Sequence, residues 1–164
     1  MKRFLALACT LVLALGILGG CSASSKEFDT EAGMTITLPG SFNKKDMEGQ
    51  TAYFESPTAI VTALKETFDE LSAAGLDLSA DSTVDEYGQI IIEGNGLAGS
   101  LEDKDGVKCF KYEQTVSGTD FSYLGTVTKG SDAFWLVQFA CETKNYDKFE
   151  SDFITWAKSM KFAE

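Results

Sequence analysis

Histidine is absent from this chain, and its absence removes several classes of catalytic and metal site. Without an imidazole there is no Ser-His-Asp relay, and the commonest general base is missing. The usual zinc-ligand patterns also need histidine or closely paired cysteines. No GxSxG, HExxH or glycine-rich phosphate-loop motif occurs in the sequence. We therefore expect a non-enzymatic protein with no catalytic residue, no cofactor and no metal ligand.

Positive charge is also scarce, since 14 lysines and arginines stand against 25 aspartates and glutamates, for a formal net charge of −11. Phosphate backbones and anionic lipid headgroups repel a protein of this charge. The composition therefore argues against nucleic acid as a partner.

Long apolar runs are missing as well, with one exception at the N-terminus. Lys2 and Arg3 precede the run Phe4–Leu18, which is interrupted only by Thr10 and Gly16. A membrane-spanning helix needs about 20 apolar residues, so this run is short for a span. A positive start followed by a short apolar core is typical of a secretory signal peptide.

The run ends in Leu18-Gly19-Gly20-Cys21, which resembles the recognition site of lipoprotein signal peptidase. Small glycines suit the protease, and the cysteine thiol is the nucleophile that accepts a diacylglyceryl group as a thioether. We predict signal peptidase cleavage after Gly20 and lipidation of Cys21. The alternative is a short membrane anchor with an incidental cysteine.

Two or more acyl chains hold a protein stably on a membrane. Lipidation of Cys21 therefore predicts a location on the outer face of the bacterial cytoplasmic membrane, at the cell surface. We divide the chain into a signal peptide (1–20), a lipidated cysteine with a flexible tether (21–33) and a single α/β domain (34–164). Loss of Lys2 and Arg3 with the signal peptide changes the net charge from −11 to −13.

The domain pattern begins with short strands and ends with a helix. Thr58–Gly75 is ambiguous, because Ala59–Leu64 fits either a buried strand or a helix. We favour a strand to about Lys65, followed by a helix over Glu66–Ala74. The remaining predicted elements are strands at Met34–Leu38 and Thr51–Glu55, a helix capped by Ser82 or Thr83, an antiparallel meander over Leu97–Glu102, Val107–Val116, Phe121–Lys129 and Ala133–Cys141, and a closing helix over 146–160.

Cys109 and Cys141 fall on two strands of this meander that have a third strand between them. A disulfide needs Cα atoms within about 7 Å. We therefore predict two buried free thiols.

Carboxylates are the residual candidates for catalysis, because paired acids can hydrolyse glycosides. Each candidate also fits a helix surface, a cap or a turn. The candidates are Asp69, Glu70, Asp85, Glu86, Glu102 and Asp103. The turn Asp103–Gly106 has too few oxygen ligands for a calcium loop.

The phrases Phe134–Phe139 and Trp156–Phe162, with this order of elements, resemble small bacterial lipoproteins of the PsbP-like group, named after the photosystem II extrinsic protein. The resemblance covers roughly residues 33–163. It implies an α+β fold, in which a twisted antiparallel sheet lies between helices as an α/β/α sandwich. It also implies a binding or assembly module rather than an enzyme, and no functional residue motif is transferred with it.

Three functional hypotheses follow. The first is a lipid-anchored, non-enzymatic module that binds an envelope protein or a small-molecule ligand. The second is a surface hydrolase with paired carboxylates. The third is an envelope-structural or adhesion protein, which would expose a large flat apolar patch.

Overall fold

A computed structural model of the protein describes residues 24–163. The predicted signal peptide, Leu18–Gly20 and Cys21 lie outside the described residues. Within the described part, the elements are β1 (Ser25–Asp29), β2 (Met34–Pro39), β3 (Asn43–Lys45), β4 (Ala52–Glu55), β5 (Ile60–Thr67), α1 (Phe68–Ala73), α2 (Val84–Gly94), β6 (Glu102–Lys104), β7 (Val107–Val116), β8 (Thr119–Lys129), β9 (Ala133–Glu142), a 3₁₀ turn (Thr143–Asn145), α3 (Tyr146–Lys158) and β10 (Lys161–Phe162).

Seven strands form the large antiparallel sheet, in the order β3-β4-β5-β9-β8-β7-β6. Strand β9 lies at its centre, paired with β5 from Ile60↔Ala140 to Thr67↔Ala133 and with β8 from Phe121↔Glu142 to Lys129↔Phe134. Nine of its ten residues are buried, because both faces of the sheet are covered. The predicted central strand is confirmed, as are the last three strands of the predicted meander.

Opposite faces of this sheet bury two separate cores. Helices α1 and α2 cover one face, and their core includes Tyr87, Ile91 and Phe134. Helix α3 and a small sheet, in the order β1-β2-β10, cover the other face. We call these the helix-side core and the hairpin-side core. The layers confirm the predicted α+β fold, with an antiparallel sheet between helices.

The N-terminal boundary differs from the prediction. The flexible tether predicted for 21–33 is wrong over Ser25–Asp29, which pairs with β2 from Ser25↔Pro39 to Asp29↔Thr35. Only Phe28 of this strand is buried, so the strand has too little alternation to be recognised in the sequence. The first described strand therefore begins only four residues after Cys21.

The structure also differs from the prediction at the β5–α1 boundary and before β6. Ala59–Leu64 is strand rather than helix from Ile60 onward, and β5 runs on to Thr67, so the helix begins at Phe68 instead of Glu66. The strand predicted at Leu97–Glu102 is wrong, since pairing begins only at Glu102. Residues 97–101 instead form a loop against β7, close enough that a Cβ on Gly99 would lie 2.7 Å from the carbonyl oxygen of Lys111.

Gly125 in the middle of β8 supplies a sharp test of this packing. A Cβ built there would lie 2.5 Å from Cζ of Phe110, whose ring covers the glycine. Gly125→Ala should therefore lower the free energy of unfolding by about 1–3 kcal/mol, through overpacking. Urea denaturation measures the change.

Gly130→Ala is the matched control, because its nearest contact would be Nε1 of Trp135 at 3.5 Å. We expect a change within about 0.5 kcal/mol for it. Equal effects of the two substitutions would contradict the packing of Phe110 over Gly125.

Candidate functional site

Two of the six candidate acids belong to capping boxes at helix N-termini. Glu70 accepts hydrogen bonds from the Thr67 N–H (2.9 Å) and hydroxyl (2.7 Å). Glu86 accepts the same pair from Thr83, at 2.7 and 2.9 Å. These bonds lower the pKa of both carboxyls, which complete capping boxes for α1 and α2. The structure thus selects Thr83 over Ser82 as the cap.

The other four acids also lie at the surface. Asp85 forms an ion pair with Lys108 at 3.0 Å, and Asp103 accepts a hydrogen bond from the Gly106 N–H at 2.9 Å. Asp69 and Glu102 are exposed. Over residues 24–163, no group of three or more cysteine, aspartate or glutamate side chains is arranged to hold a metal ion.

The structure instead points to an acid that the sequence analysis did not select. Glu66 is 9% exposed and is the one carboxylate among residues 24–163 that is buried. It accepts a hydrogen bond of 2.5 Å at Oε2 from the hydroxyl of Tyr87. Tyr87 is fully buried and stacks on Phe134, with ring centroids 4.6 Å apart and planes 8° apart. The pair ties α2 to the sheet.

Burial dominates the electrostatics of this pair. It raises the pKa of Glu66, an effect that the Tyr87 hydrogen bond opposes and the nearby Glu70 charge reinforces. Burial and the Glu66 carboxylate together raise the pKa of Tyr87 well above its usual value. Tyr87 therefore stays a protonated donor, and the proton that titrates belongs to Glu66.

Lys129 lies at the same end of the large sheet as Glu66. Register places it beside Phe134, which in turn pairs with Glu66. Its ammonium group donates to the carbonyl oxygens of Ala80 (2.5 Å) and Ser82 (2.8 Å), in the segment that leads into α2. Its charge is thus used to hold this loop against the sheet.

The arrangement of Glu66, Tyr87 and Phe134 suits a structural role better than a catalytic one. A hydrolase of the paired-carboxylate type needs a second acid across a substrate-sized gap. Glu66 faces Tyr87 and Phe134 instead, and the neighbouring Glu70 is engaged by Thr67.

The sequence did contain a signal for the burial of Glu66. Glu66 lies two residues after Leu64, so the two side chains lie on the same face of the strand once β5 extends to Thr67.

Both domain cysteines lie in the hairpin-side core. Cys109 and Cys141 are each 1% exposed and free, which confirms the prediction of two buried free thiols. Cys109 pairs with Thr126 and Cys141 with Ser122, so strand β8 separates them. Burial raises the pKa of both thiols, that of Cys141 to about 11. Neither is poised as a nucleophile.

A cavity of about 270 Å³ lies at the β3–β4 hairpin, lined by residues 44–48 and 50–52. Its two lysines are already engaged, Lys44 with the carbonyl oxygen of Asp29 and Lys45 with Glu55. The lining comes from one hairpin, so no distant groups converge there. Among the described residues, no helix combines the length and the apolar character needed to cross a bilayer.

Glu66 makes the stability of the fold depend on pH. Its raised pKa in the folded protein means that its contribution is complete below the unfolded-chain value of 4.5 and is lost as pH rises through the folded value. The advantage of Glu66→Gln over the wild type, in free energy of unfolding, should therefore grow between pH 4 and pH 7. Denaturant titrations at several pH values measure it.

Glu48→Gln, at an exposed position, is the matched control for replacing a carboxylate by an amide. Tyr87→Phe leaves the Glu66 carboxylate without its donor and should cost about 1–3 kcal/mol. A pH-independent difference between Glu66→Gln and the wild type would show that Glu66 is solvated.

The thiols give a second prediction. A fragment that starts at residue 22 should react with a thiol reagent at pH 8 only after unfolding, because Cys109 and Cys141 are buried and their pKa values are raised. Two thiols per chain should then appear in denaturant. Rapid labelling of either cysteine in the native fragment would contradict the hairpin-side packing.

No family model matches the chain, and no curated protein matches it. Several solved structures, by contrast, do match the chain. Cyanobacterial PsbP (CyanoP) from Synechocystis aligns with a TM-score of 0.53 and 16% identity, over 90% of this chain and 98% of that one. A protein from Bacteroides thetaiotaomicron aligns with a TM-score of 0.52 and 13% identity, over 88% of this chain and 50% of that one. At these identities the likeness establishes architecture alone: the chain has a PsbP-like fold.

Proposed function

We propose that this protein is a non-enzymatic binding or assembly module, anchored by lipid on Cys21 to the outer face of the bacterial cytoplasmic membrane. Its partner would be an envelope protein or a small-molecule ligand. The proposal has two independent lines of support. The first argues against a catalytic pair of carboxylates, and the second concerns the lipid anchor.

The first line of support is the burial of Glu66 and its hydrogen bond with Tyr87. Glu66 is the one buried acid of residues 24–163, and Tyr87 and Phe134 enclose it. The six acids that the sequence offered are all exposed, and four of them have cap, turn or ion-pair partners. A paired-carboxylate hydrolase would instead have one desolvated acid facing another across an open site.

The anchor is supported by the order of segments. Leu18-Gly19-Gly20-Cys21 follows a positive start and an apolar run, and the first strand begins at Ser25. Cleavage before Cys21 would therefore leave every described strand and helix intact.

The adhesion hypothesis receives no comparable support. Within residues 24–163, every valine, leucine, isoleucine, methionine and aromatic side chain is buried or half-buried. A large apolar patch of the kind that marks an adhesive surface is thus not offered by these residues.

Crosslinking in intact cells, followed by affinity capture through a C-terminal tag, would distinguish a protein partner from a small-molecule ligand.

The anchor itself is tested by Cys21→Ala in the full chain, expressed in a bacterium that is fed a labelled fatty acid. The wild type should carry the label and have lost residues 1–20. The variant should be unlabelled and should keep residues 1–20, because the peptidase needs the lipidated cysteine. Mass spectrometry and gel fluorography measure both properties.

Ser22→Ala is the matched control and should behave like the wild type. The label and the mass are the deciding measurements, since an uncleaved apolar leader could itself hold the variant on the membrane. A Cys21→Ala protein that still carries fatty acid would refute the proposed site.

A further inference from the structure

The linker between the anchor and the fold is very short. Ser25 is the first residue of β1, so three residues separate it from Cys21. Four fully extended residues span at most about 14 Å. The chain is held immediately before the strand as well, because the Gly40 N–H donates to the carbonyl oxygen of Ser24 at 2.9 Å. The start of β1 must therefore stay close to any lipid on Cys21.

Contacts between the two sheets show which end of the molecule this is. Ala32, in the β1–β2 turn, accepts a hydrogen bond from Nζ of Lys65 near the end of β5, at 3.4 Å. Phe28 packs on Phe54 nearer the start of β5, with centroids 5.1 Å apart. Strand β1 thus runs in the same sense as β5. Ser25 lies at the end of the large sheet where β4 turns into β5.

Four connections share that end with Ser24 and Ser25. They connect β2 to β3, β4 to β5, β7 to β8 and, through the 3₁₀ turn, β9 to α3. We name this surface the tethered pole, and the exposed residues of its turns are Ser24, Ser25, Gly40, Ser41, Pro57, Thr58, Ser117, Gly118 and Lys144. Lys144 forms an ion pair with Glu142, and Asp120 lies beside the β7–β8 turn. The other residues are uncharged, and most are small or carry a hydroxyl group.

The opposite end has a different composition. It contains the β1–β2, β3–β4, β6–β7 and β8–β9 turns, and we name it the acidic pole. Each of these turns has at least one exposed carboxylate: Glu31, Asp46 and Glu48, Asp105, and Asp132. The acid-rich start of α1 follows β5 at the same end.

From the linker length and this separation of charge, we propose that the tethered pole rests directly on the lipid headgroups and that the acidic pole points away from the membrane. The inference rests on the proposed lipidation of Cys21. An anionic leaflet repels carboxylates within about a Debye length, roughly 8 Å at physiological salt. The turns of the tethered pole carry no exposed carboxylate and so meet little such repulsion, and the acidic pole lies about 30 Å away along the strands.

This arrangement accounts for a difficulty raised by the composition. A body with a net charge of −13 after cleavage would be pushed away from an anionic membrane. A linker of three residues cannot hold such a body far from the lipid. The uneven distribution of charge allows close approach at one end only.

Two single-cysteine labels test the orientation, in the lipidated full chain reconstituted into phosphatidylglycerol–phosphatidylethanolamine vesicles. Thr58→Cys lies on the tethered pole and Ser131→Cys on the acidic pole. Both replace small exposed residues, and they lie two residues before β5 and β9 respectively. A fluorophore at position 58 should be quenched by headgroup-nitroxide lipid at least threefold more strongly than one at position 131.

The unsubstituted chain controls for labelling of Cys109 and Cys141. Insertion of twenty Gly-Ser residues after Ser22 should abolish the difference, because the body is then free to move away. Equal quenching at the two positions without the insertion, or stronger quenching at position 131, would overturn the orientation. Failure of the chain to carry fatty acid would refute the proposed anchor instead, so the two outcomes are distinguishable.

Discussion

The rest of the structure depends on strand β9, the central strand of the large sheet. Its backbone pairs with β5 on one side and β8 on the other, and its side chains alternate between the two cores. Phe134 and Leu136 face α1 and α2, whereas Trp135 and Val137 face the small sheet and α3. Because burial of apolar surface is the main favourable term in folding, neither core would be complete without this strand.

The buried Glu66–Tyr87 pair is a consequence of the same register. Glu66 pairs with Phe134 across β5 and β9, and Tyr87 stacks on that ring. A carboxylate in this position carries a desolvation cost, and a buried acid without a donor is more costly still. The pair therefore fixes how α2 lies on the sheet. It does not form an open site.

The PsbP-like fold does not itself decide what the domain does, since one fold supports many functions. The proposals for this protein come from three particular features: a cysteine that follows Leu18-Gly19-Gly20 after an apolar run, a short linker and an uneven distribution of charge. Together they support the proposal of a domain that is fixed on a membrane at the end with few charges and that presents most of its turn carboxylates outward. A partner that approaches from outside would meet the acidic pole first.

The sequence by itself determined the elements whose pattern is local. The turn glycines Gly106 and Gly118 set the ends of β7, and the apolar run Ala133–Cys141 predicted a strand buried on both faces. The spacing of Tyr146, Phe149, Phe153 and Trp156 predicted α3, because a 3.6-residue period is visible in any such window. The free state of Cys109 and Cys141 followed from the order of strands.

Only the tertiary structure decided the features that depend on distant partners. Strand β1 buries one side chain, and it is a strand because β2 offers an unpaired edge. Glu66 is buried because β5 continues in register with β9 beyond the point where its own pattern becomes ambiguous. The two poles likewise arise from turns far apart in the chain, which pairing brings to the same end of one sheet. A local pattern does not contain these relations, since hydrogen bonding between strands is set by residues tens of positions away.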